Sequence, residues 1–192
     1  MTVTSNCETV DYLEKSMIKN KVQSNEKLVS IDIAKSFGPK FPIKSLDITP
    51  WLFKGLILKE NLFNDSIDQH NWQEYQGSYL CIEVNEDALL APWAYMILTE
   101  IGKRHAKDVF FTNPIDAQSQ LIKRNIDEAD FSSYEEKYVL VKGCSNKSVT
   151  PDIYAHITKK LIGTAKKIMY GEACSFVPVY MSKSNNNKIW EV

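Results

Sequence analysis

Residues 67–112 of this chain can be laid over residues 126–171 without a gap, at an offset of 59 residues, the separation between Tyr79 and Tyr138. Ile67, Asp68, Tyr75, Tyr79, Pro92, Tyr95 and Thr99 meet Ile126, Asp127, Tyr134, Tyr138, Pro151, Tyr154 and Thr158, and Trp72 meets Phe131. Ala106-Lys107 meets Ala165-Lys166, and the apolar runs Val109-Phe110-Phe111 and Ile168-Met169-Tyr170 agree in kind. Chance likeness between two βαβ units of similar length is the competing explanation. Duplication is favoured, because bulky aromatics and prolines keep register over the whole span. It constrains the fold strongly, since whatever supersecondary unit one copy forms, the other forms too.

Each copy reads strand, helix, strand. Residues 78–84 and 137–142 are near-continuous apolar runs, the pattern of strands covered on both faces. Pro92 and Pro151 open helices over 92–105 and 151–167, with proline at the first helical position. Residues 108–112 and 168–170 read as the closing strands. Between the copies, Ile115, Ala117, Leu121, Ile122 and Ile126 recur at helical spacing and predict a crossover helix over 114–128. The expected fold class is α/β: a largely parallel sheet built from two duplicated βαβ units with right-handed crossovers. A β-containing N-terminal segment precedes them. Residues 27–34 and 43–48 alternate as strands do and predict a hairpin across the turn at 36–42. Thr49-Pro50 predicts a helix start for the apolar stretch 51–58, which reads as a buried or interface element. A second, amphipathic helix is expected over 59–69. Residues 176–180 predict an edge strand, because Pro178 cannot sit centrally in a sheet. The expected layout is a polar tail and short helix over 1–26, one α/β domain over 27–181, and a polar tail over 182–192.

Composition limits the partners. The 192 residues carry a net charge of -1, with 24% charged and 44% hydrophobic residues. The lysines and arginines form no basic block, so neither nucleic acid nor an anionic membrane surface is expected. No window reaches the ~18 apolar residues of a membrane span, and the first twenty residues lack the apolar run of a secretory signal. The expected location is the cytoplasm, with Cys7, Cys81, Cys144 and Cys174 reduced. There is no Cys-x-x-Cys pair, no dinucleotide or P-loop fingerprint and no nucleophile elbow. His70, His105 and His156 are scattered, and the tryptophans read as packing residues.

The candidate chemistry lies at the carboxyl ends of the second repeat's strands, where ligands sit in sheets of this kind. Cys144 follows the strand 137–142 and precedes a helix, a position whose backbone N–H groups and dipole favour a thiolate. Cys174 follows the next strand. Neighbouring strands lie ~4.8 Å apart, so the two sulfurs are expected at one edge of the sheet, within reach of each other or of a shared metal. The competing reading is two small packing residues. Glu172 is a candidate acid, base or metal ligand beside Cys174, or simply a residue that caps or faces water, and Cys144, Cys174 and Glu172 are the catalytic candidates. Gly143, Ser145, Asn146 and Lys147 form a turn suited to a small anion, or simply an Asn-containing turn with a solvated lysine. The first repeat offers Asn85 and Ile115 where the second has the cysteines, so thiol chemistry is expected in the second alone. Glu86 and Asp87, in the matching turn, are hard-ligand candidates or solvated acids.

The strings Trp51-Leu-Phe-Lys-Gly-Leu-Ile-Leu-Lys-Glu60, Ala91-Pro-Trp-Ala-Tyr-Met96, Lys142-Gly-Cys-Ser-Asn-Lys147 and Tyr170-Gly-Glu-Ala-Cys-Ser-Phe-Val-Pro178 resemble those of domain of unknown function family 2480, a bacterial family. The resemblance runs from about residue 17 to about residue 180. The chain departs from it at Ser148-Val149-Thr150-Pro151, where the family has a proline directly after the lysine. The family brings no established activity. It implies genomic proximity to iron–sulfur cluster assembly components, and hence those proteins as partners. Three readings follow from residues and resemblance together. One is a thiol- or metal-dependent accessory protein for iron–sulfur maturation, with zinc or an iron–sulfur cluster held by Cys144 and Cys174. Another is an enzyme or binding module for a small anion at the 143–147 turn. The third is an adaptor or homodimer that uses the apolar 51–58 segment.

Overall fold

The computed structural model describes residues 27–143 and 149–182. The expected tail and short helix over 1–26, the C-terminal tail beyond Ser182, and the turn residues Cys144, Ser145, Asn146 and Lys147 lie outside the described residues. The elements in chain order are β1 (Leu28–Ile31), α1 (Ile33–Phe37), β2 (Ile43–Asp47), α2 (Glu60–Gln69), β3 (Tyr79–Glu83) and α3 (Pro92–His105). They continue with β4 (Asp108–Phe110), α4 (Pro114–Glu128), β5 (Tyr138–Val141), α5 (Pro151–Leu161), β6 (Lys167–Glu172) and β7 (Ser175–Met181). The class is α/β with mostly parallel strands, which divide between two sheets. One has the order β2-β3-β4, all parallel; the other has the order β1-β5-β6-β7, with β7 antiparallel at the edge.

The two segments correspond down to single hydrogen bonds. Ser78 C=O accepts from Lys107 N–H at 2.8 Å, and its equivalent Lys137 accepts from Lys166 at 2.9 Å. Thr99 and Thr158 each donate their hydroxyl to the carbonyl four residues back, Tyr95 and Tyr154, at 2.7 Å. Trp72 packs on Tyr75 at 6.1 Å, and Phe131 on Tyr134 at 5.5 Å. Several of the residues that repeat in the sequence thus make the same contact twice.

The two N-terminal strands do not form the expected hairpin. Tyr79 N–H bonds to Pro42 C=O and Tyr138 N–H to Lys27 C=O, each at 2.8 Å. So β2 flanks the first repeat as β1 flanks the second, and each runs parallel to its partner. Ser30-Ile-Asp-Ile33 and Ser45-Leu-Asp-Ile48 occupy corresponding places. Asp32 caps α1 by accepting from Lys35 N–H at 3.2 Å, and Asp47 accepts from Thr49 N–H at 2.8 Å. A third motif, shorter than the repeat, therefore belongs to each unit but is interleaved in the chain. Alternation alone fixes a strand and leaves its partner open.

The helix expected over 51–58 is absent as well. A 3-10 turn at Thr49–Trp51 gives way at Lys54 (φ 56) and Gly55 (φ 70), both left-handed. Two such residues in succession end any helix. α5 is shorter than expected for a related reason: it ends at Leu161, two residues before Gly163 (φ 88).

Each sheet has its own core. Leu46, Ile82 and Leu80 pack with Phe63 and Ile67 of α2 and with Ala94 and Leu98 of α3. Val139, Val141 and Ile168 pack with Ile122 and Ile126 of α4 and with Ile153 and Ile157 of α5. α4 also reaches the other sheet. It contacts β2, and its Arg124 pairs with Asp108 of β4 and lies over the Phe110 ring at 5.9 Å. On its α5 side, Asp127 binds Lys160 at 2.8 Å and His156 at 3.1 Å, and Lys123 pairs with Asp152.

Burial raises the Asp108 carboxyl, but hydrogen bonds from Arg124, the Val109 N–H and Lys103 outweigh it and hold it below its ordinary value. A carboxyl lowered by folding adds stability above its unfolded value of about 3.9. It loses that stability as pH falls through the lower folded value. The urea midpoint of the wild type is therefore expected to fall as pH is taken from about 6 to about 3. Asp108→Asn should lower the midpoint at about pH 6 and flatten this acid dependence. An unchanged acid dependence in that variant would remove the carboxyl from this role.

Candidate functional site

The carboxyl ends of the parallel strands place a turn and a helix start in each repeat. In the first repeat, Glu83 ends β3, residues 84–91 turn, and Pro92 opens α3. The turn is pinned from β2: Ile48 N–H bonds to Glu83 C=O at 2.9 Å, and Asn85 N–H to the Thr49 hydroxyl at 3.0 Å. The Asn85 side chain then accepts from Asp87 N–H at 3.0 Å, and its backbone carbonyl from Ala88 at 2.9 Å. β4 ends beside it and leads through Phe111, Thr112 and Asn113 into α4. Asn113 caps that helix by accepting from Asp116 N–H at 2.9 Å.

Between these ends lies a cavity of about 230 Å³. Its lining includes Glu83, Glu86, Tyr95, Phe111, Thr112 and Asn113. The rings of Tyr95 and Phe111 meet edge to face at 4.9 Å and 69°. The amino end of α4 is already supplied with negative charge, because Asp116 accepts from both the Thr112 hydroxyl and the Asn113 amide. Two acidic residues, Glu83 and Glu86, and the rings of Tyr95 and Phe111 thus border one small cavity.

The second repeat builds the same place from different residues. Tyr154 and Tyr170 meet edge to face at 5.5 Å and 84°, matching Tyr95 and Phe111. A side-chain carbon added to Gly143 would lie 2.9 Å from the Tyr170 hydroxyl, so the ring takes the space that a larger residue would need. Where the first repeat has Glu83, the second has Lys142.

β5 and β6 are adjacent and parallel, with Val141 opposite Tyr170. This is the neighbourhood expected for the two cysteine positions. Cys174 occupies the two-residue turn between Glu172 and Ser175, which face each other across the β6–β7 hairpin. Gly171 (φ 127) allows this closure, since a side chain there would meet the Ser175 carbonyl at 2.6 Å. Cys174 and Glu172 are exposed at the hairpin tip, and Cys174 is a free thiol. Cys144 and the anion-turn residues Ser145, Asn146 and Lys147 lie outside the described residues, leaving Gly143 alone to be placed. Among the described residues no group of three or more His, Cys, Asp or Glu side chains is arranged to hold a metal ion. No helix among them is long and apolar enough to cross a membrane.

The cavity residues Glu83, Tyr95, Phe111, Thr112 and Asn113 were not among the sequence candidates. The signal that points to them is the repeat itself. Carrying the second repeat's turn back by 59 residues lands on 84–88, and Tyr95 and Phe111 are the partners of Tyr154 and Tyr170.

The free thiols differ in reactivity. Cys81 is buried, and burial, with the nearby Glu83 charge, pushes its thiol up to about 11. With Cys7 and Cys144 replaced by serine, the native protein should react rapidly with one equivalent of Ellman's reagent, at Cys174. Cys81 should react only on denaturation. Two fast thiols in the native state would contradict this placement.

No curated protein and no solved structure matches this chain. A family model does match it, over residues 16–182, and the chain therefore belongs to that family, described as protein of unknown function (DUF2480).

Proposed function

We propose that the chain is a binding module for a small organic cation, held at the carboxyl ends of β3 and β4. The observation that carries this reading is the cavity of about 230 Å³ between Glu83, Glu86 and the Tyr95–Phe111 pair. Its size suits a ligand of a few heavy atoms to a small amino acid, at the low end of ordinary pockets. The carboxylates attract a protonated or quaternary nitrogen, and the ring faces add about 0.5–2 kcal/mol by cation–π contact. An anion would meet Glu83, Glu86 and a start of α4 that already carries the Asp116 carboxylate in its first turn, and so is disfavoured at this place.

Thermal unfolding at constant ionic strength with putrescine, choline, acetate and phosphate tests the reading. A ligand at ten times its Kd adds about 1.4 kcal/mol, which raises the Tm of a chain this size by about 3–6 °C. Putrescine or choline should give that shift, and Glu83→Gln/Glu86→Gln should abolish it. The reading fails if no cation shifts the Tm, or if the double variant responds as the wild type does.

A second reading keeps the thiols: an accessory protein of a reducing cytoplasm, serving iron–sulfur maturation through Cys144 and Cys174. It is supported by the adjacency of β5 and β6 and by the exposure of Cys174 at the carboxyl end of its strand. The donors fit soft-metal chemistry in kind, as thiolates select zinc and iron–sulfur clusters. Two cysteines make half of a four-ligand set, with Glu172 the nearest further donor in the chain. Protein purified without oxygen should then carry zinc by elemental analysis, or absorb in the visible. Both signals should disappear in Cys144→Ser/Cys174→Ser. Colourless, metal-free wild-type protein would sink this reading while leaving the cation reading untouched.

A further inference from the structure

The stretch that fails to be a helix builds an apolar surface. Phe53 N–H bonds to Ile57 C=O at 2.9 Å and Ile57 N–H returns to Phe53 C=O at 3.1 Å, closing a tight turn. Leu89 N–H then bonds to Leu56 C=O at 2.9 Å, so residue 89 lies alongside Ile57 as a parallel bridge. Trp93 and Met96 follow, one turn apart on α3, with the Trp93 ring against Phe63 at 5.8 Å. Leu89 is 76% exposed, Met96 71% and Ile57 51%, and Phe53, Leu56 and Trp93 are exposed as well. Isolated exposed hydrophobics are ordinary, but six joined by backbone pairing and helical spacing mark an interaction surface.

The rim of this face carries both signs of charge. Lys54 and Lys59 stand at the turn, with the Lys59 ammonium 3.5 Å from the Phe53 ring centroid. Glu60 starts α2, and Asp87 sits in the turn just before Leu89. We propose that this face receives a second copy of the chain, in a two-fold arrangement. A two-fold axis makes every contact of a rim lysine with an acid of the partner occur twice. A rim of mixed sign is complementary to itself, whereas a strongly charged partner calls for a single opposite sign. Phe53 and Trp93 supply the large, desolvated anchors found at the centres of such interfaces.

The test is the mass of the full chain in sedimentation at about 50 μM. The expected species has twice the 22.0 kDa chain mass. Leu89→Glu/Met96→Glu should give monomer with unchanged far-UV circular dichroism, since both side chains stand in solvent. A charge exchange then identifies the face. Lys54→Glu/Lys59→Glu and Glu60→Lys/Asp87→Lys should each weaken self-association at least tenfold, and an equimolar mixture of the two should form a heterodimer. A monomeric wild type overturns the proposal. So does a dimer that survives Leu89→Glu/Met96→Glu, or a mixture that fails to associate. None of these outcomes depends on occupancy of the cavity.

Discussion

The structure depends on α4 meeting two sheets at once. Parallel strands are ordinarily covered on both faces. α4 serves both sheets by having two working sides. Ile122 and Ile126 enter the core beneath β5 and β6, while Arg124, on the same helix, binds Asp108 of β4 and covers Phe110. The polar seam to α5, through Asp127 and Lys123, fixes the rotation of the helix. Exposed ion pairs contribute little each, so the seam orients the helix and the apolar side provides most of the stability. α2, the counterpart of α4 at the 59-residue offset, packs on its own sheet through Phe63 and Ile67. α4 combines that packing role with a link to the other sheet.

The repeat places the same aromatic pair at the carboxyl ends of both sets of strands. Tyr95 and Tyr154 each also accept, at the backbone carbonyl, the hydroxyl of the threonine four residues on. The residues around that pair differ in charge: Glu83, at the end of β3, corresponds at the 59-residue offset to Lys142 after β5. A change of sign beside a retained aromatic pair alters which charge is attracted there.

Much of this was legible in the residues. Proline at the first position located the starts of α3 and α5, apolar residues at helical spacing located α4, and runs of apolar residues located β3 and β5. Pro178 placed β7 at an edge. What was not legible concerns partners rather than elements. Alternation in residues 28–31 and 43–47 gives two strands, but their pairing is set by distant backbone bonds from Tyr79 and Tyr138. The stretch 51–58 is apolar on every side, which hid the left-handed pair Lys54-Gly55 that turns it outward. Cysteine drew attention to the second repeat, whereas the cavity of the first is made of a glutamate pair and two rings with no motif. Only the register of the repeat connects them.

The cavity and the apolar face are not independent, because one segment serves both. Glu86, Leu90 and Tyr95 line the cavity, while Leu89, Trp93 and Met96 belong to the face. In an irregular stretch, neighbouring residues can point to opposite sides, and the first turn of α3 continues that division at helical spacing. The segment is pinned from residues 48–56 by the bonds from Ile48 N–H to Glu83 C=O, from Asn85 N–H to the Thr49 hydroxyl and from Leu89 N–H to Leu56 C=O. One short stretch thus positions residues of both surfaces, and a substitution in it acts on the surface to which its own residue belongs.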